Sequence, residues 1–183
     1  GENVLVHAAA GGVGLLLTQM VAMRGGRVIA TTSTDEKAQL AREAGAAEVI
    51  NYDRFADRVK EMTGGAGVDV VYDGVGAATF DGSLASLRPR GDMVLSGAAS
   101  GRVPLFDPMQ LEAGGSLFLT RPSIRHYTAT REELLDRARE VFGWIAEGKL
   151  QIRIGGRYPL ADARRAHEDL EARRTTGKLI LIP

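Results

Sequence analysis

Between residues 3 and 120, short apolar runs alternate with longer segments whose apolar positions recur every three or four residues. Val4–Ala8 reads as a strand and Val13–Arg24 as a helix stopped by Gly25-Gly26. Arg27–Thr32 is the next strand. Ser33 or Thr34 is placed to cap a helix that runs to about Ala44 and ends at Gly45. Glu48–Ile50 reads as a short strand, Arg54–Met62 as a helix, Val68–Tyr72 as a strongly apolar strand and Ala77–Leu87 as a helix. Asp92–Ser96 and Ser116–Thr120 are two further strands, separated by a loop with a short ordered piece around Pro108–Leu111. The strands carry little period-two alternation, which fits strands buried on both faces. Strands and helices that alternate every 20 to 25 residues or so predict right-handed βαβ crossovers and a parallel sheet. The rhythm breaks after Arg121-Pro122. A long amphipathic helix (Arg131–Glu147), a strand-like piece near Ile152–Ile154, a helix (Ala161–Arg174) and a strand (Lys178–Ile182) complete the chain. The expected fold is α/β, a Rossmann-type doubly wound parallel sheet in residues 1–121 with a helix-rich extension in 122–183.

The turn after the first strand, "HAAAGGVG", carries the first chemistry. Ala9, Gly11 and Gly14 fall at the three small positions of the dinucleotide fingerprint, with Gly12 an additional glycine. Small residues there permit a tight strand-to-helix turn, close approach of a pyrophosphate and close packing of helix on strand. The helix N-terminus presents unpaired N–H groups to the anion, with Gly12 and Val13 as the expected donors. A glycine cluster alone is a weak signal, but this one follows a strand and opens a helix, the required context. No Gly-Lys-Ser/Thr follows, which disfavours a P-loop.

The second strand bears on which dinucleotide is bound. NAD sites place an acid at its end to hold the ribose 2′-hydroxyl. Here the strand runs into Thr31-Thr32-Ser33-Thr34, and the first acid is Asp35, already in the next helix. Ser33, Lys37 and Tyr52 offer a hydroxyl, an ammonium and a phenol suited to a 2′-phosphate. Each has an ordinary alternative: a cap, a solvated helix lysine, a surface tyrosine. Combined with the missing acid, they favour NADPH.

Composition narrows the field further. The 183 residues are 44% hydrophobic and 25% charged with zero formal net charge. Bulk attraction to nucleic acid or an anionic membrane is therefore not indicated. The absence of cysteine excludes disulfides, thiolate metal sites and a cysteine nucleophile within the chain. His7, His126 and His167 are too scattered to make a metal site by spacing. His7 is expected to be hydrogen-bonded beneath the site rather than catalytic, and His167 to be structural or solvent-facing. Trp144 and Phe142 are expected in the core, at a buried interface, or in an exposed patch.

With "VINY" (Val49–Tyr52), "VDVVYDGVG" (Val68–Gly76), "LFLTRPS" (Leu117–Ser123), "YPLADARRAHEDLE" (Tyr158–Glu171) and the closing "GKLILIP", the glycine turn resembles the zinc-independent NADPH:quinone oxidoreductases of the medium-chain dehydrogenase/reductase superfamily. The resemblance covers nearly the whole chain. It implies hydride transfer from NADPH to a quinone or another conjugated carbonyl, in a cytoplasmic enzyme that is a homodimer at full length. In that family a small barrel domain precedes the nucleotide fold and walls the active site. The chain is therefore expected to be the cofactor-binding part of a larger enzyme, not competent alone, with 122–183 packing on the other domain.

By position the resemblance lays the pyrophosphate over Ala10, Gly11, Gly12 and Val13, with Gly14 behind them, and the 2′-phosphate near Ser33, Lys37 and Tyr52. Gly74, Val75 and Gly76 edge the adenosine ribose. Gly97 and Ala98 lie beside the nicotinamide ribose, and Phe118 and Leu119 meet the nicotinamide through backbone groups. Some relatives carry Asn where this chain has Ala98, which offers no side-chain hydrogen bond. Arg173 reaches back to the cofactor, or is simply a helix C-terminal cation beside Arg174. No general acid is evident. The alternatives are an enoyl reductase, including the reductase domain of a polyketide synthase, and a non-catalytic dinucleotide-binding module.

Overall fold

A computed structural model describes residues Gly1–Pro183. Six strands form one parallel sheet: β1 (Asn3–Val6), β2 (Arg27–Thr31), β3 (Glu48–Ile50), β4 (Val68–Asp73), β5 (Leu87–Leu95) and β6 (Phe118–Thr120), in the order β3-β2-β1-β4-β5-β6. Between them lie α1 (Gly14–Met23), α2 (Asp35–Glu43), α3 (Phe55–Met62), α4 (Phe80–Ser86) and α5 (Met109–Ala113). The order reverses between β1 and β4, and a doubly wound sheet opens its ligand crevice at such a point, beyond the strands' C-terminal ends.

The core explains why the strands lack alternation. Leu5, Ile29, Val71 and Met93 are buried on one face of the sheet beneath α3 and α4. Val4, Val6, Val28 and Ala30 are buried on the other. Apolar side chains on both faces need helices on both faces. On α1 Gly14, Leu15 and Thr18 are buried, and a Cβ on Gly14 would collide with the Ala8 carbonyl and the Ala9 backbone. That glycine sets how closely α1 lies on β1.

Several boundaries differ from expectation. The first strand ends at Val6, not Ala8, and Ala8 takes a left-handed φ of 50° in the turn. The fourth helix starts at Phe80 rather than Ala77 because Asp73 holds the preceding residues in a side-chain-capped turn. β5 begins at Leu87 rather than Asp92. Val68 pairs with Leu87 and Val70 with Asp92, so Arg88–Gly91 bulges out while Arg88 Nε grips Asp69 Oδ1 at 2.6 Å.

Beyond residue 122 come α6 (Ile124–Tyr127), a short turn of helix that the periodicity did not reveal, and α7 (Arg131–Ala146). Thr130 and Glu133 cap α7 reciprocally. β7 is Ile154–Pro159 rather than Ile152–Ile154, and it pairs in parallel with β8 (Lys178–Ile182). Leu160–Asp162 forms a tight turn of 3-10 helix before α8 (Ala163–Glu171), which is shorter than the expected Ala161–Arg174. The motif Tyr158–Glu171 has a structural basis. The Tyr158 hydroxyl donates to Asp169 Oδ2 at 2.9 Å, and Arg174 donates to Asp169 Oδ1 from Nε and Nη2 at 2.9 and 2.6 Å. Contacts also cross the expected division near 122. Gly177 N–H donates to the Ala10 carbonyl at 3.0 Å and Gly177 bridges to Gly11, so the run into β8 passes over the glycine turn.

Candidate cofactor site

At the crevice between the loops after β1 and β4 lies a cleft of about 420 Å3. One rim is the glycine turn, with Ala8, Ala10, Gly11 and Gly12. A second comes from Thr32 and Ser33 after β2, Lys37 on α2 and Tyr52 after β3. Val75, Ala78 and Thr79 follow β4, and Leu170, Arg173, Thr175 and Gly177 close the cleft from the C-terminal segment. Of the residues expected from sequence, the fold brings Ala10, Gly11, Gly12, Ser33, Lys37, Tyr52, Val75 and Arg173 to this one cleft.

The lining favours an anion. Lys37 and Arg173 are its charged residues and no carboxylate lines it. The Gly12 and Val13 N–H groups donate to no protein acceptor, as expected of the first turn of a helix, whereas Gly11 N–H is spent on the Ala8 carbonyl at 2.9 Å. Thr34 rather than Ser33 caps α2, with its hydroxyl accepting from Lys37 N–H at 3.3 Å, which leaves the Ser33 hydroxyl free. Lys37 Nζ donates to the Arg173 carbonyl at 2.7 Å. Arg173, with a φ of 58°, ends α8 in a left-handed turn, so it is both a helix C-terminal cation and a cleft residue. Tyr52 accepts from Ala8 N–H at 3.0 Å and keeps its own hydroxyl proton to donate.

The remaining expected residues lie elsewhere. Val13 is exposed at the start of α1, and Gly14 is packed against β1. Gly76, with a φ of 90°, lies against Ala98 and the Gly101 carbonyl, and Gly97 crosses Gly74 too closely for a Cβ. These glycines let the loops after β4 and β5 lie on one another. Phe118 and Leu119 are on the outer strand, level with Asp92 and Met93, and do not line the cleft. Phe142 is exposed. Trp144 is half-buried with the Arg24 guanidinium 4.8 Å from its ring centroid. His126 and His167 are exposed. No three His, Asp or Glu side chains gather closely enough to hold a metal ion.

The sequence reading missed the polar chain beneath the cleft. Asp73, fully buried at the end of β4, accepts from Val75 N–H at 2.8 Å and Gly76 N–H at 3.0 Å, and from the Thr79 and Ser83 hydroxyls. Ser83 Oγ lies 3.0 Å from His7 Nε2, and Thr31 Oγ1 lies 2.8 Å from His7 Nδ1. Because the Ser83 proton goes to Asp73, Nε2 carries the imidazole proton and Nδ1 accepts from Thr31. Burial pushes the imidazole pKa down to about 4, against the pull of the Asp73 charge. The available sequence signal was an acid ending an apolar strand immediately before a glycine.

A slightly larger cleft, about 460 Å3, lies between α1, α2 and residues 149–153. It lies beside the last turn of α2, is lined by Glu43, Lys149 and Arg153 among others, and takes in none of the residues expected to meet the cofactor.

Comparison with known proteins agrees with this geometry. The family model described as zinc-binding dehydrogenase matches residues 12–146. A mycobacterial protein solved in complex with NADPH is 58% identical, with a TM-score of 0.98 over the whole chain. The quinone oxidoreductase of Escherichia coli, also solved with NADPH, is 47% identical with a TM-score of 0.96. A 2-haloacrylate reductase from a Burkholderia species is 42% identical over the whole chain. The chain spans 58%, 57% and 56% of the lengths of these three proteins.

Proposed function

The chain belongs to the zinc-binding dehydrogenase family, and from that premise we propose that it is the NADPH-binding part of an oxidoreductase that reduces a quinone or a similar conjugated carbonyl. The observation that carries this is the cleft at the β1/β4 crevice: a free Gly12 N–H, two cations, the free Ser33 and Tyr52 hydroxyls and no carboxylate in the lining, with the free Val13 N–H next to it at the start of α1. Bound there, NADPH would supply a hydride to the acceptor, and one proton from solvent would complete the hydroquinone. The chain's own residues bind and orient. Gly12 and Val13 donate to the pyrophosphate, and Ser33, Lys37, Tyr52 and Arg173 surround the 2′-phosphate. Val75 and the neighbouring Gly74 and Gly76 edge the adenosine ribose. Gly97, Ala98, Phe118 and Leu119 extend the site along the sheet edge towards the nicotinamide.

Residues 1–121 are the cofactor domain in this reading. Segment 122–183 presents Ile124, Leu134, Phe142 and Leu160 to a further part of the enzyme, which accounts for apolar side chains left in solvent. A homodimer in the cytoplasm belongs to the same proposal. No helix is long and apolar enough to cross a membrane. An acceptor of the conjugated-carbonyl type is supported by relatives named quinone oxidoreductase and 2-haloacrylate reductase.

Calorimetric titration tests the cofactor half: NADPH is expected to bind more tightly than NADH, and a preference for NADH overturns it. For the chemical half, a protein spanning the full length of the relatives is expected to consume NADPH only when a quinone such as 1,4-benzoquinone is added.

A further inference from the structure

The buried chain Thr31–His7–Ser83–Asp73 has no place in the binding contacts above, yet each end of it holds something that lines the cleft. On one side, Asp73 fixes Val75 N–H and the Thr79 hydroxyl, and both residues are in the lining. On the other, the His7 ring lies stacked against Tyr52, with centroids 5.9 Å apart and planes 15° from parallel, and meets Phe55 edge-on at 4.9 Å. Tyr52 is half-buried and its hydroxyl is tethered only to Ala8 N–H. The phenol thus lies nearly parallel to the imidazole, and the imidazole is clamped at both nitrogens by hydroxyls from β2 and α4.

We infer that His7 is a positioning residue for cofactor selection: held by Thr31 and Ser83, it fixes the ring of Tyr52 so that the phenol faces the 2′-phosphate. This rests on the NADPH reading above. Core packing alone asks for an apolar ring at residue 7, not one bonded at both nitrogens. A buried imidazole is costly to desolvate, and a fully satisfied polar chain fixes orientation in a way that apolar contact does not.

The test is a double-mutant cycle on binding, with NADPH and NADH as the probes. His7→Phe keeps a ring but loses both hydrogen bonds. Ser83→Ala is a milder change that loosens the same clamp should His7→Phe fold poorly. Each is expected to weaken NADPH binding by about three- to tenfold, the range of one ordinary hydrogen bond, and to leave NADH within about twofold. Combined with Tyr52→Phe, which removes the phenol hydroxyl, neither is expected to weaken NADPH beyond the larger single loss. A merely structural role predicts equal losses for both cofactors, and additive losses with Tyr52→Phe; either result overturns the inference while leaving the cofactor reading intact. If the wild type prefers NADH or binds neither, that reading fails, and the role assigned to His7 fails with it.

Discussion

Lys37 is the side chain on which cofactor preference turns most directly. Its ammonium donates to the Arg173 carbonyl and borders the cleft, and no carboxylate in the lining competes for it. A charge-assisted hydrogen bond at a partly exposed site contributes toward the lower end of ~1.5–3 kcal/mol. Lys37→Ala is therefore expected to weaken NADPH about tenfold, the equivalent of ~1.4 kcal/mol, and to leave NADH nearly unchanged. Titration of both cofactors at two salt concentrations checks this; equal losses would make Lys37 a tether of the C-terminal segment alone. His7 carries a second expectation at the same scale, this time for stability. Its pKa is near 6.5 when unfolded and about 4 when folded. Above pH 6.5 both states are neutral, and below pH 4 both are charged. Between these values only the unfolded chain takes up the proton, so stability falls as pH falls from 6.5 to 4, by ~3 kcal/mol across the window. Carboxylates titrate nearby, so the comparison is with His7→Phe: denaturant midpoints of the wild type are expected to fall more steeply over that range. Parallel curves would sink the assignment.

At the scale of elements, the glycine turn is shaped from two sides. A Cβ on Gly14 would enter the Ala8 and Ala9 backbone. Gly14→Ala is expected to lift α1 off β1 and destabilise by about 3 kcal/mol, the upper end of the range for an overpacked core; thermal or denaturant unfolding measures it. Gly12 is different. A Cβ there would lie 2.8 Å from Lys178 Cδ and 2.9 Å from the Gly177 carbonyl. The residue that crowds Gly12 in this structure is thus the run into β8. The sequence offered the pyrophosphate as the reason for a small residue here; the fold adds a second reason from 165 positions downstream. Gly12→Val is expected to displace residues 175–178 as well as to block NADPH, which faster proteolysis of the C-terminal segment would reveal. Thr130 and Glu133 cap the start of α7, and Thr130→Ala is expected to remove ~1 kcal/mol.

For the whole molecule, the cleft closes only because the C-terminal segment returns to the first loop. Gly177 on the Ala10 carbonyl and Lys37 on the Arg173 carbonyl are the two links. NADPH binding between them is expected to slow hydrogen exchange at Gly177 N–H, and at a hundredfold excess over Kd to raise stability by ~2.7 kcal/mol. The other half of the edge is different. Leu105, in the loop that follows β5, and Phe118, on β6, are both exposed, so a nicotinamide laid along that edge is open to water. The 183-residue chain is therefore expected to bind NADPH yet turn over a small quinone poorly. A rate equal to that of a protein of the relatives' full length would overturn the division of labour proposed for residues 1–121 and 122–183.

By itself, the sequence determined the sheet, its helices and the glycine turn, because apolar periodicity and helix stops are local and recur within each βα unit. It also marked Ser33, Lys37 and Tyr52, since the missing acid after β2 is visible in a few consecutive residues. Only the tertiary structure joined Asp73, Ser83 and His7 into one polar chain, set Arg173 and Gly177 over the first loop, and placed Phe118 away from the cleft. Those partners are 10 to 167 residues apart in the chain, and each reads as an ordinary strand, helix or turn residue until the fold brings its hydrogen-bonding groups within about 3 Å of one another.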